Sequence, residues 1–93
     1  MLLFGISNIN FHAAKTFLID MLDRKEFEVT NNAENTFEVN VKQKSRVISI
    51  KLYYNKKIVV DINDSWYSLR IPKTEFKKME KYKEFIVNSI NQF

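Results

Sequence analysis

Ninety-three residues carry fifteen Lys plus Arg against eleven Asp plus Glu, a formal charge of +4, with one Gly, one Pro, no Cys and a 45% hydrophobic share. The length suits one domain, since domains usually run to about 100 to 150 residues, and eight Phe, four Tyr and one Trp supply too much apolar area for a disordered chain. Without cysteine there is no disulfide framework, zinc-thiolate site or thiol nucleophile, which fits a reducing, cytoplasmic setting.

The chain opens on the apolar run Met1-Leu2-Leu3-Phe4-Gly5-Ile6. No basic residue precedes it, and it stops at Ser7-Asn8, short of the roughly 7 to 15 residues of a signal-peptide core. No stretch approaches the roughly 18 apolar residues of a membrane span, so a soluble intracellular protein is expected. Lys outnumbers Arg twelve to three, and Asn and Ile each occur ten times, a usage favoured by A/T-rich codons and suggestive of a low-GC bacterial, phage or other viral source.

From Phe11 to Leu22 the residues Phe11, Ala14, Leu18, Met21 and Leu22, with Phe17 beside them, recur at three- and four-residue spacing, which predicts a helix with one buried face. Ser7, Asn8 or Asn10 is placed to cap it. After Arg24-Lys25 the period becomes two: Phe27 and Val29; Phe37, Val39 and Val41; Ile48, Ile50, Leu52 and Tyr54; Ile58, Val60 and Ile62; Tyr67, Leu69 and Ile71. Pro72 then ends the fifth strand. Thr74 caps a final helix whose Phe76, Met79, Ile86, Ile90 and Phe93 share one side.

Opposed residues must lie on one face, so Val41 pairs with Ile48, Val39 with Ile50, and Phe37 with Leu52; likewise Ile50 with Ile62, Leu52 with Val60, and Tyr54 with Ile58. The same logic pairs Ile62 with Tyr67 and Val60 with Leu69. Only the first connection, residues 31–35, exceeds hairpin length with no fixed register. The expected fold is α+β: an N-terminal helix, a five-stranded antiparallel meander and a C-terminal helix, both helices on one face of the sheet.

Motifs for chemistry are sparse. His12, the sole histidine, lies opposite the buried side of the first helix, with Asp20 and Asp23 two or three turns away, and reads as solvated. Asp61-Ile62-Asn63-Asp64 has the opening of a calcium loop without its Gly or distal Glu, and reads as strand and turn. One Gly cannot build a phosphate-cradling loop. No enzyme, cofactor or metal is expected.

The final helix is expected to hold Lys73, Lys77, Lys78, Lys81 and Lys83, interleaved with Glu80 and Glu84 at pairing distance, giving a partly self-neutralised face. Lys77-Lys78-Met79-Glu80-Lys81 after a helix and a sheet resembles, in outline, the double-stranded RNA-binding domain. That family differs in having three strands and a Gly-containing loop leading into Lys-Lys-x-Ala-Lys.

The sheet face away from the helices is the most informative feature. The register aligns Glu38, Lys51, Asp61 and Ser68 as a salt-bridged row, sets Tyr53, Val59 and Arg70 side by side at one end, and sets Trp66 with Asn63, Ser49 and Asn40 near Lys42 and Val47 at the other. Tyr53, Val47, Val59 and Trp66 are misplaced on a face meant for water. Residues 1–6 could cover it. Alternatively it binds protein, a host factor or a second copy, through Tyr53, Val59, Trp66, Arg70 and Lys42.

The expectation is therefore a small non-enzymatic binding or inhibitor protein that occludes a larger partner, of the kind phages and mobile elements direct against host defence, anti-CRISPR proteins included, and acting in the host cytoplasm. The alternative is single-stranded DNA or RNA stacking on Tyr53 and Trp66, with Lys44, Lys57, Lys73 and Lys77 near its backbone.

Overall fold

Asn10 adopts extended backbone, φ −125° and ψ 161°, and its side-chain oxygen accepts the amide of Ala13 at 2.8 Å. One of the amides that a first helical turn leaves without a partner is thereby satisfied, and α1 follows over Phe11–Met21. The computed structural model describes residues 8–43, 45–64 and 70–92, the side chains of residues 70–72 excepted. Beyond α1 come β1 (Glu26–Ala33), β2 (Thr36–Gln43), β3 (Arg46–Asn55), β4 (Lys57–Asp64), β5 (Arg70–Phe76) and α2 (Met79–Gln92). The strands form one open antiparallel sheet in the order β1-β2-β3-β4-β5, an α+β arrangement.

Through its centre the sheet has the register that hydrophobic alternation requires. Val41 faces Ile48, Phe37 faces Leu52, Leu52 faces Val60 and Tyr54 faces Ile58. A slip of one residue would turn each of these apolar sets to the opposite face, so burial of one face fixes the pairing.

Both edges depart from the alternation. β1 runs on to Ala33 because the ladder shifts between Val29, which faces Val39, and Asn31, which faces Glu38, with Thr30 as the extra residue. The connection to β2 shrinks to Glu34 and Asn35. Polar Asn31 and Asn32 carry no apolar signal, and they are tolerated because this strand is exposed over almost its whole length.

Periodicity ends the fifth strand at Pro72, but β5 runs through Pro72 to Phe76, and its register differs from the one the alternation suggests. Ile62 faces Ile71 and Val60 faces Thr74, so Pro72 and Lys73 lie opposite Asp61 in an irregular stretch. Pro72 thus sits in an edge strand beside a bulge, where its missing amide disturbs the ladder least. Thr74 is therefore a strand residue rather than a helix cap, and Phe76 faces Ile58 in the sheet rather than opening α2. The expected Tyr67 and Leu69 positions, and Phe93, lie outside the described residues.

Both helices cover one sheet face. Ala14, Leu18 and Leu22 from α1 and the segment after it join Tyr82, Ile86 and Ile90 of α2 over Phe37, Val39, Val41, Ile48, Ile50, Leu52, Ile58, Val60, Ile62 and Phe76. Each large apolar side chain so buried stabilises the fold by about 1.5–3 kcal/mol before the entropy cost of ordering it. Tyr82, at zero exposure, is the member the apolar pattern overlooks. Its phenol donates to the carbonyl of Ala14 at 2.6 Å, its ring meets Phe17 and Phe76 edge-on at 6.1 and 5.7 Å, and burial pushes its pKa above the ordinary value.

The helices run parallel. At their starts the amide of Ile9 donates to the carbonyl of Lys77 at 3.0 Å. At their ends Gln43 joins them, its carbonyl oxygen accepting from Lys25 Nζ at 2.6 Å and its amide nitrogen donating to the carbonyl of Ile90 at 3.3 Å. That last contact satisfies a carbonyl in the final turn of α2, where helical partners run out.

Candidate functional site

The sheet face turned away from the helices is built by alternate residues: Glu26 and Glu28 on β1; Thr36, Glu38, Asn40 and Lys42 on β2; Val47, Ser49, Lys51 and Tyr53 on β3; Lys57, Val59, Asp61 and Asn63 on β4; Lys73 and Glu75 on β5. Tyr53 stands between Thr36 and Val59, as its register requires. Its ring is half-buried, with the ammonium of Lys51 5.2 Å and that of Lys73 5.8 Å from its centre. A cation near an aromatic face is held by the ring's quadrupole, at about 0.5–1 kcal/mol on an exposed surface. Val59 beside it is only 6% exposed.

Arg70 does not join this group. It pairs with Asn63, at the other end of the face, and Glu75 takes the place beside Val59. The cause is the irregular stretch at Pro72, which carries β5 several residues further along β4 than alternation alone suggests. Lys73, expected on the last helix, is therefore a β5 residue beside Tyr53, and Lys77 and Lys78 precede α2. The alternation of Ile71, Thr74 and Phe76 with Lys73 and Glu75, interrupted once at Pro72, is the signal that identifies the strand.

The central row keeps its expected order, Glu38 opposite Lys51 opposite Asp61. It is not the expected salt-bridged row: among the described residues Lys51 makes no ion pair and lies over Tyr53 instead. Glu38 accepts from Asn31 Nδ2 at 3.1 Å, and Asp61 accepts from Asn63 Nδ2 at 3.3 Å. Next to it Asn40, Ser49 and Asn63 align, with Ser49 Oγ donating to Asn40 Oδ1 at 2.9 Å. These polar residues line a shallow hollow of about 130 Å³. Lys42 is exposed near Val47. Trp66, Ser68 and Lys44 lie outside the described residues.

The remaining lysines are dispersed. Lys57 Nζ is 3.3 Å from Glu75 Oε2, an exposed pair, and Lys77 is exposed beyond the end of β5. On α2, Lys81, Lys83, Glu80 and Glu84 are exposed, and Lys83 Nζ lies 5.4 Å from the Phe17 ring centre.

His12 is exposed on α1. Asp61, Ile62, Asn63 and Asp64 all belong to β4, so their spacing is that of a strand and not a calcium loop. Asp64 points to the helix side, is 2% exposed, and has Arg46 Nη1 3.6 Å from Oδ2. Among the described residues no group of three or more His, Cys, Asp or Glu is placed to hold a metal ion, and no helix is long and apolar enough to cross a membrane. The chain matches no protein-family model, no curated protein and no solved structure.

Proposed function

We propose that the chain is a non-enzymatic binding protein whose helix-free sheet face covers part of a larger protein, occluding it. The observation that carries this reading is Tyr53, a half-buried ring on the helix-free face, with two lysine ammoniums against it and nearly buried Val59 alongside. Tyr is enriched at interface hot spots, and the flanking cations are held against its ring by the quadrupole. The size of the face agrees. Five strands about 4.8 Å apart, each about eight residues long at roughly 3.3 Å per residue, span on the order of 600 Å², near the roughly 800 Å² that one partner contributes to a stable interface. Its central hollow is too shallow to enclose a small ligand, for which pockets of about 300–1,000 Å³ are usual.

The double variant Tyr53→Ala with Lys73→Glu tests this reading, because both side chains are surface groups outside the core. Partner affinity is expected to fall about 30-fold or more, the scale of a hot-spot loss, while His12→Ala on the opposite side leaves it unchanged. Equal binding by both variants rejects the reading.

Single-stranded nucleic acid is the second reading, favoured by the place of Lys73 beside Tyr53 on the sheet face. Binding of that kind would weaken steeply with added salt as condensed counterions are released. Glu38, Asp61 and Glu75 on the same face oppose it.

A further inference from the structure

At the end of the sheet where β3 turns into β4, the strands reach past the start of both helices. Tyr54 shares the helix-covered face with Leu52, yet it is 46% exposed because neither α1 nor α2 extends over it. Beneath it lies a cleft of about 330 Å³ lined by Asn8, Ile9, Tyr54, Lys56, Lys57, Ile58, Phe76 and Lys77. It opens on the helix-covered side of the sheet and meets the open face only at Lys57.

Its chemistry is two-sided. Exposed Tyr54 and half-buried Ile9 supply its apolar surface, above Ile58 and Phe76, which are closed into the core at 0% and 7% exposure, Phe76 being fixed there by ring contacts with Tyr82 at 5.7 Å and Phe85 at 5.2 Å. The rim carries exposed Lys56 and Lys77, while Lys57, which also borders the cleft, turns its ammonium to Glu75; among the described residues no carboxylate lines the cleft. α1 and α2 both begin at this end, since the Ile9 amide meets the Lys77 carbonyl at 3.0 Å. Two helix dipoles therefore add their positive ends to the ammoniums of Lys56 and Lys77. The remaining acid nearby, Glu75, is held by Lys57 at 3.3 Å.

We infer that this cleft seats an acidic peptide segment of the partner protein, with one large apolar side chain against Tyr54 and Ile9 and flanking carboxylates at Lys56 and Lys77. The inference rests on the proposed protein-binding role and names the chemistry of the partner. Tyr54, Lys56 and Lys77 are exposed, so the cleft is entered directly from solvent. Its volume lies at the low end of ligand pockets, room for one side chain with a short stretch of chain.

Three fluorescein-labelled probes test it: a nonapeptide of Asp and Glu with a central Phe, the same peptide with Ser at the centre, and a nine-base oligothymidine. The Phe peptide is expected to bind the full-length protein about tenfold or more tighter than the Ser peptide, the order expected for burying one aromatic side chain. Lys56→Glu with Lys77→Glu should remove that binding while the circular dichroism spectrum stays unchanged. Tyr53→Ala with Lys73→Glu, on the open face, should leave it intact, so failure at the cleft is distinguishable from failure at the face. Equal affinity for the two peptides, preference for oligothymidine, or no binding of any probe, as when residues 1–6 of the chain fill the cleft themselves, overturns the inference.

Discussion

The phenolic oxygen of Tyr82 lies 2.6 Å from the carbonyl oxygen of Ala14, so the fourth residue of α2 is hydrogen-bonded to the fourth residue of α1. The contact fixes the two parallel helices to each other in the layer that covers one face of the sheet. Tyr82→Phe keeps the ring contacts and removes one buried hydrogen bond, a loss of about 0.5–1.5 kcal/mol. For a chain of this size that lowers the melting temperature by about 4–8 °C per kcal/mol, measurable by calorimetry.

Alkaline pH should destabilise the fold through the same residue. Burial raises the Tyr82 pKa above its ordinary value of 10, so the folded state keeps a proton that the unfolded state gives up. Its stabilising effect is complete below pH 10, and stability falls as pH rises beyond that, with a limiting slope of about 1.4 kcal/mol per pH unit. Urea midpoints between pH 9 and 11 should fall more steeply for the native chain than for Tyr82→Phe. Parallel declines would assign the alkaline loss to other groups.

Asn10→Ala should cost about 0.5–2 kcal/mol, because the Ala13 amide loses the side-chain acceptor now 2.8 Å away. Asn10→Ser should restore most of it. A chemical denaturation series on the two variants measures the difference.

Lys56 has φ 66°, the left-handed region, in the tight turn between β3 and β4. A side chain with a Cβ is disfavoured there by about 1–2 kcal/mol, part of which glycine forfeits again through unfolded-chain entropy. Lys56→Gly should therefore raise stability by about 0.5–1 kcal/mol, read as a higher urea midpoint at unchanged slope, while removing one cation from the cleft rim.

The central sheet is legible in the sequence because its strands alternate without interruption from Phe37 to Ile62, and burial of one face permits a single register. The edges are not, because exposed strands need no apolar code. Thr30 adds a bulge inside a polar run, and Pro72 has the form of a strand terminator although it lies in an edge strand beside a bulge, where its missing amide is tolerated. Misplacing β5 also misplaces the site: Arg70 moves away from Tyr53, and Lys73 takes its place by that ring. Tyr82 is overlooked for a different reason. Its polar hydroxyl conceals a helix position as buried as Ile86, and only a partner carbonyl in another element makes that burial tolerable.

The reading of the helix-free face as a protein-binding surface is tested most directly by photocrosslinking in extracts of cells that make the protein. With benzoylphenylalanine introduced at position 53, one dominant protein adduct of fixed stoichiometry is predicted, and with the same group at position 12, on the exposed side of α1, none. Absence of an adduct at position 53, or equal adducts at both positions, would contradict it.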